Sequence, residues 1–374
     1  MKPGLRVLHV TEAFSGGVFT SITRLSSGLA QRGHEVHLAY ARRAETPADV
    51  AAFVHAEVTL HEIGMVRAID PRSDLAGLIE VRRLLREIAP DVVHLHSSKA
   101  GVLGRMAAGL TGDLSRVFYS PRGLSFLQED YSPGARAWFQ RIEWMMARIG
   151  GTVVACSSGE ATLVRERIRA PRVAMIENAI DVAAVPLHVE RNDGIVRIGI
   201  AGRISHARNS ELFGQLARRH AAPDVRFQWI GGGGDVAQAQ LRADGVEVTG
   251  WMSRPEALAA MSGLDIYLHP SRWEGMPVAL IEAQVAALPA VVTDIIGNRD
   301  VVRHGETGYV GSGTDALSAA LSALIADPAL RRRIGNRARE LALVRFDLAR
   351  MIDEYEALYA SAPRRLRSAS KAGV

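Results

Sequence analysis

Apolar positions along the chain come in short runs, each followed by a segment with helical spacing. Residues 6–10 (RVLHV) read as a buried strand, followed by a turn at Ser15-Gly16-Gly17 and a helical pattern over 19–31. Gly33 stops that helix, and 35–40 (EVHLAY) is the next strand. A helical stretch around 84–88 is closed by the Pro90 breaker and leads into a strand over 91–96. Further strands fall at 117–119, 152–155 and 173–176. Continuous apolar runs alternating with helices predict a parallel sheet covered on both faces.

Residues 182–194 break the rhythm. They hold Pro186 and the polar run 191–194 (RNDG), show no periodicity, and read as a linker. The pattern then restarts with strands at 195–200, 225–230, 246–248, 264–268 and 290–292, and 328–359 reads as helix throughout. The expectation is an α/β protein of two doubly wound, Rossmann-like domains facing across a cleft. An N-terminal domain spans 1–182 and a linker 183–194. A C-terminal domain spans 195–345, and a helix over 346–360 packs back on the first domain. A basic tail covers 361–374. At 374 residues the chain is long enough for two cores. Open parallel sheets bind ligands outside the carboxyl ends of their strands, so the expected site is the interdomain cleft.

Composition narrows the classes. Apolar residues at 48% and charged residues at 23% exclude a collagenous, coiled-coil or disordered chain. The lone Cys156 excludes an intrachain disulfide and a cysteine-cluster metal site, so a reducing cytoplasm is expected. No signal-peptide pattern and no run of 18 apolar residues is present. The net charge of +5 comes mostly from Arg364, Arg365, Arg367 and Lys371, since the body holds 41 basic and 40 acidic side chains. That balance argues against a nucleic-acid partner. A basic tail gains about 1 kcal/mol per residue against an anionic leaflet, which would allow peripheral contact at the inner face of a membrane.

The chemistry concentrates in 270–283 (PSRWEGMPVALIEA). A strand ends at Leu268, and Pro277 suits the first position of a helix. Glu274 then lies in the loop and Glu282 on the helix, while the Val278 and Ala279 amides are free to meet a phosphate. Two spaced carboxylates also fit a glycosidase, a reading the double Rossmann-like pattern disfavours. Arg203 and Arg208 lie in the loop after the first strand of the second domain and could neutralise a diphosphate. Gly16 and Gly17 allow close backbone approach, without the third glycine and the acid of a dinucleotide fingerprint. His94 and His96 alternate on one strand, with His96 at its carboxyl end before Lys99. No histidine pair has the spacing of a zinc helix motif.

Taken together, these segments resemble the retaining GT-B glycosyltransferases of glycosyltransferase family 4. The resemblance runs through the Gly16-Gly17 turn, the 91–101 run (DVVHLHSSKAG), Gly202-Arg203, Gly250-Trp251 and 265–271. It continues over Glu274 to Glu282 with Gly275 and Ala283, then Leu288-Pro289, Gly297-Asn298 and 305–309 (GETGY). It implies metal-free transfer of a sugar, with retention, from a UDP- or GDP-sugar to a lipid-linked glycan acceptor in surface polysaccharide synthesis, with no cofactor. The first domain would take the acceptor and the second the donor, with Glu274 on the donor sugar, Glu282 on the ribose, and Arg203 and Arg208 on the diphosphate. Gly16, Gly17, Gly275, Met276, Val278 and Ala279 would complete the donor site, and His96, Lys99 and Arg122 would face the acceptor. Base-choosing contacts would come from 251–254. The family's usual lysine is replaced by Arg208, and its usual glycine after Asn178 by Ala179. The family's histidine in a Tyr-Thr-Pro-His-Gly segment is here Arg122, within 119–123 (YSPRG). Arginine stays protonated and cannot act as a base. Arg122 therefore keeps open a nucleotide-sugar-binding subunit without turnover, and a nucleotide-sugar epimerase of the same fold is a further alternative.

Overall fold

A computed structural model describes residues 4–112 and 114–363. The tail residues Arg364, Arg365, Arg367 and Lys371 lie outside the described residues.

The N-terminal domain runs β1 (Arg6–Thr11), α1 (Gly16–Gln31), β2 (Glu35–Tyr40), β3 (Val58–Glu62), α2 (Pro71–Ile88), β4 (Val92–His96), α3 (Ser98–Gly109), β5 (Val117–Ser120), α4 (Pro133–Ile149), β6 (Thr152–Ala155), α5 (Ser158–Leu163) and β7 (Val173–Met175). Its seven parallel strands order β3-β2-β1-β4-β5-β6-β7. The C-terminal domain runs β8 (Val196–Ala201), α6 (Ser210–Arg219), β9 (Val225–Ile230), α7 (Asp235–Ala243), β10 (Val246–Val248), α8 (Arg254–Ser262), β11 (Ile266–His269), α9 (Val278–Val285), β12 (Ala290–Thr293), α10 (Ile296–Val301), β13 (Gly308–Gly311), α11 (Gly313–Ala326), α12 (Pro328–Arg345) and α13 (Leu348–Ala360). Its six strands, also parallel, order β10-β9-β8-β11-β12-β13. Each order reverses once, between β1 and β4 and between β8 and β11, and these switch points open the ligand crevices.

Helices cover both faces of the N-terminal sheet. One face packs α2, α3 and α4 residues such as Val81, Leu103 and Ala147. The other packs Ile22 and Leu25 of α1 with Met351, Tyr355 and Tyr359 of α13. The linker is pinned to the C-terminal domain, where His188 and Val189 donate backbone N–H groups to the Ala286 and Ser262 carbonyls.

The run from 328 to 359 is not continuous helix. It breaks at Phe346-Asp347, where Ile180 donates to the Phe346 carbonyl and accepts from Leu348 N–H. Phe346 is buried, and the Asp347 carboxylate accepts from Ala349 N–H, so a new helix starts in a new direction. That turn delivers α13 to the N-terminal core. Strands β3 and β13 fall outside the expected strands.

Tyr359 is fully buried, and its hydroxyl lies 2.6 Å from His94 Nδ1. Replacing it with alanine should cost about 3–5 kcal/mol in chemical denaturation, because a cavity opens where α13 meets the sheet. A loss under about 1 kcal/mol would mean that α13 does not stabilise this domain.

Candidate active site

The C-terminal switch point places 202–208 after β8 and 270–277 after β11. Arg208 folds over the Gly202 backbone and reaches Glu274, Nε to Oε1 3.3 Å. Ser271 Oγ lies 3.4 Å and His269 Nε2 3.6 Å from that same carboxylate oxygen. Burial pushes the Glu274 carboxyl up. Arg208, His269 and Ser271 outweigh it and hold the group below the usual carboxylate range. Glu282, buried on α9, bonds Arg254 of α8. Burial raises its carboxyl, opposed by Arg254, Arg24 and Arg208.

Pro277 is not the first helical residue. Its extended ψ of 115° puts it just before α9, with its carbonyl accepting from Leu280 and Ile281. The amides of Val278 and Ala279 still head the helix, and no side chain caps it. Across the cleft α1 starts at Gly16, earlier than the expected 19, and Gly16 has a φ of +54°. A Cβ on Gly17 would stand 3.5 Å from the Val278 side chain, so two helix N-termini face each other. Arg24, about two turns along α1, acts electrostatically on both Arg254 and Glu282.

The two domains touch through backbone and short side chains. A Cβ on Gly275 would lie 3.0 Å from the Gly123 nitrogen, and Gly123 itself has a φ of +107°. Asn178 donates to the Met276 carbonyl (2.9 Å) and accepts from Arg122 Nη1 (2.8 Å). Arg122 has a φ of +58°, a conformation L-residues avoid at a cost of about 1–2 kcal/mol. Among the described residues no carboxylate pairs with its guanidinium, and its Nε is buried without a partner. Gly159 N–H on α5 bonds Asp300 of α10 at 3.0 Å.

The structure therefore gathers Arg208, Glu274, Glu282, Gly16, Gly17, Gly275, Met276, Val278, Ala279 and Arg122 around one crevice. Arg203 turns away from Arg208 and pairs at 2.5 Å with Glu45 of the opposite domain, both half exposed. His96 does not line the cleft. It is fully buried, with Nε2 3.0 Å from His9 and Nδ1 3.4 Å from Arg122, and supports that arginine from behind. Lys99 is tied to Asp74 and the Ala68 carbonyl. In 251–254, Trp251 is 64% exposed while Arg254 serves Glu282.

His9, His94 and His96 bring ring nitrogens within 4.8 Å of one another. Both nitrogens of His94 are engaged, by Tyr359 and Ser120, and the Arg122 cation adjoins His96. Within the cluster only His9 and His96 share a hydrogen bond, His94 meets them through ring contact alone, and burial keeps all three rings neutral. Arg24, Glu45 and Glu12 carry no expected role, Asn178 is expected only to shift a turn with Ala179, and Arg254 is expected among the base-choosing residues rather than on Glu282. Buried Glu12 follows β1 and accepts from Ser97, itself at a φ of +74° after β4. The position of Glu12 at a strand's carboxyl end was the available signal.

Two parallel-sheet domains with this crevice define a GT-B-type glycosyltransferase. The chain belongs to the glycosyltransferases of family 4: residues 15–184 match the Glycosyltransferase Family 4 model, and 189–341 match Glycosyl transferases group 1. It is 29% identical to a GDP-mannose-dependent alpha-mannosyltransferase of Mycolicibacterium smegmatis, over 91% of this chain and 93% of that one. It is 24% identical to the UDP-Gal:alpha-D-GlcNAc-diphosphoundecaprenol alpha-1,3-galactosyltransferase of Escherichia coli, over 79% and 81%. Among solved structures it resembles sucrose-phosphate synthase of Thermosynechococcus elongatus (TM-score 0.82, 16% identity, 95% and 98% covered). It also resembles Anabaena Alr3699/HepE in complex with UDP and glucose (TM-score 0.75, 16%, 96% and 100%).

Burial, helped by Arg122, lowers His9 to about 3. An unfolded histidine takes up its proton near pH 6.5 and the folded one does not, so stability is full above about 6.5 and falls as pH drops toward 3. The slope is at most about 1.4 kcal/mol per pH unit for each such histidine. Melting temperatures of His9→Gln should therefore decline less steeply than wild type between about pH 6 and 4. Equal slopes would show that His9 carries no such penalty.

Proposed function

We propose that this glycosyltransferase moves a sugar from a UDP- or GDP-sugar, with retention, to a lipid-linked glycan acceptor during surface polysaccharide synthesis, without a metal or other cofactor. The observation that carries the reading is Arg208 and Glu274, together at the C-terminal switch point, below the uncapped start of α9 and opposite the start of α1. A nucleoside diphosphate meets there one guanidinium and two helix dipoles of the same sign.

In the reaction the bond from the anomeric carbon to the diphosphate oxygen breaks, and negative charge grows on the leaving group. Arg208 swings from Glu274 to the diphosphate, joined by Arg203 once the donor draws it from Glu45. The α9 and α1 amides complete the cradle. Ionised Glu274 orients the donor sugar's hydroxyls, and Glu282 holds the ribose. The acceptor hydroxyl attacks from the face the diphosphate leaves, and its proton passes to the departing phosphate oxygen. No protein base is needed for that transfer, so the permanent charge of Arg122 is compatible with turnover. Arg122, with no carboxylate partner, takes an acidic group of the sugar substrates. The relatives support transfer to a lipid carrier, since one is named for a diphosphoundecaprenol-linked substrate.

Incubation with labelled UDP- and GDP-sugars tests the reading. The correct donor should raise the melting point, and Glu274→Ala should keep the fold while losing at least about 100-fold in transfer. Near wild-type turnover would remove Glu274 from the mechanism. Donor binding with no transfer or hydrolysis across an acceptor panel would leave a binding subunit, and sugar interconversion without acceptor an epimerase. Arg122→Met should raise KM for an acidic substrate by about tenfold or more, and leave that of a neutral substrate unchanged. Equal effects on both would deny Arg122 a role in recognising charge.

A further inference from the structure

The outer surface of the N-terminal domain carries a feature that donor transfer does not use. Helix α4 has only one acid, Glu143, which is buried and bonds Arg105 and the Tyr119 hydroxyl. Its opposite stripe faces solvent and consists of Trp138, Arg141, Trp144, Met145, Arg148 and Ile149. Trp138 is 57% exposed, Met145 48%, Ile149 45% and Trp144 42%. Arg148 lies over the Trp144 ring, 3.9 Å from its centroid.

The neighbouring helices extend this surface. They share one layer with α4 over a common core, α2 against α3 and α3 against α4. On α3, Met106 and Leu110 are exposed, and on α2 so are Leu75 and Ile79, with Arg72 a turn before and Arg83 a turn after. An ordinary exposed helix face mixes acids and lysines, whereas this one, with Glu87 at the end of α2 as its exposed acid, otherwise interleaves indoles, aliphatics and guanidiniums. Aromatic and arginine side chains together suit the zone between lipid headgroups and acyl chains, where rings sit at headgroup depth and cations meet phosphates.

We infer that the outer face of α4, with α3 and α2 beside it, docks on an anionic lipid bilayer. The charge on the stripe selects this occupant over a second copy of the chain, because the stripe offers Arg141 and Arg148 no acid to meet, whereas lipid phosphates supply the opposite charge. The geometry also suits the site. Asp130, three residues before α4 begins, lies 3.9 Å from His206 across the cleft, so the stripe starts at the cleft mouth. From there it runs about 25 Å along the domain. Among the described residues no helix is long and apolar enough to cross a membrane, so the contact is peripheral. The docking surface gives the proposed lipid-linked acceptor its approach, and it rests on that reading only for its purpose, because vesicle binding is read without turnover.

The test floats the full chain with vesicles of phosphatidylcholine alone, or with about a third phosphatidylglycerol. Wild type should float with the anionic vesicles and far less with the neutral ones. Trp138→Ser with Trp144→Ser, and separately Arg141→Gln with Arg148→Gln, should each cut the bound fraction at least about tenfold. Their melting points should stay unchanged, and donor hydrolysis in detergent should persist. A third variant with serine at Arg364, Arg365, Arg367 and Lys371 should keep most of the binding. The inference is overturned if wild type does not float, if the α4 variants float like wild type, or if only the tail variant is lost. It is equally overturned if light scattering shows a dimer that the α4 variants dissociate. Loss of transfer with vesicle binding intact would instead count against the proposed reaction alone.

Discussion

A carboxylate and a guanidinium that share a partly buried hollow constrain each other. Neither Glu274 nor Arg208 could lose its partner there without leaving a poorly solvated charge behind. Burial alone would drive Glu274 toward its neutral form, yet Arg208, with His269 and Ser271, keeps it ionised. The pair therefore stores one accepting and one donating group in their charged states before any substrate arrives. Their positions follow from topology. Arg208 leaves the end of β8 and Glu274 the end of β11, and these adjacent strands frame the point where the sheet order reverses. A different strand order would separate the two by the width of the sheet.

The same constraint reaches the other domain through contacts that only small or polar groups can make. Gly275 meets Gly123 backbone to backbone, and Asn178 spans Arg122 and the Met276 carbonyl. Together with Gly159 and Asp300 these bonds fix the Glu274 loop against the carboxyl end of the N-terminal sheet. Behind Arg122 stands the row His96, His9 and His94, anchored by Tyr359 from the last helix. A permanent cation near three buried imidazoles favours their neutral state. Arg122 in place of a titratable side chain is thus matched to its surroundings on both sides.

Much of this was legible in the chain. Strands β2, β6, β9 and β10 fall at the residues where the apolar runs lie, because a buried parallel strand needs an unbroken run. The overlooked strands are the informative ones. β3 (VTLHE) and β13 (GYVG) are edge strands, each half exposed, with too little apolar surface to stand out. The site was legible where chemistry and turn signals coincide, at Glu274, Glu282 and Arg208. It was illegible where partners come from distant sequence. Nothing local ties Arg203 to Glu45, Arg24 to Glu282 or Asn178 to Met276, since each of these relations exists only after two domains close.

Helix α4 shows a further limit of pattern reading. Apolar residues at helical spacing are ordinarily taken to mark the face turned to the core, and here Glu143, Met146 and Ala147 occupy that face. The indoles lie on the opposite stripe, so the helix presents apolar side chains on two faces. A soluble surface gains nothing from two exposed tryptophans flanked by arginines, whereas a bilayer interface stabilises both kinds of side chain at once. The arrangement becomes intelligible when the second solvent is lipid. On the proposed docking, a sugar carried on a membrane-embedded chain has few directions in which to approach, and an enzyme held by one helix beside its cleft needs to search only a plane.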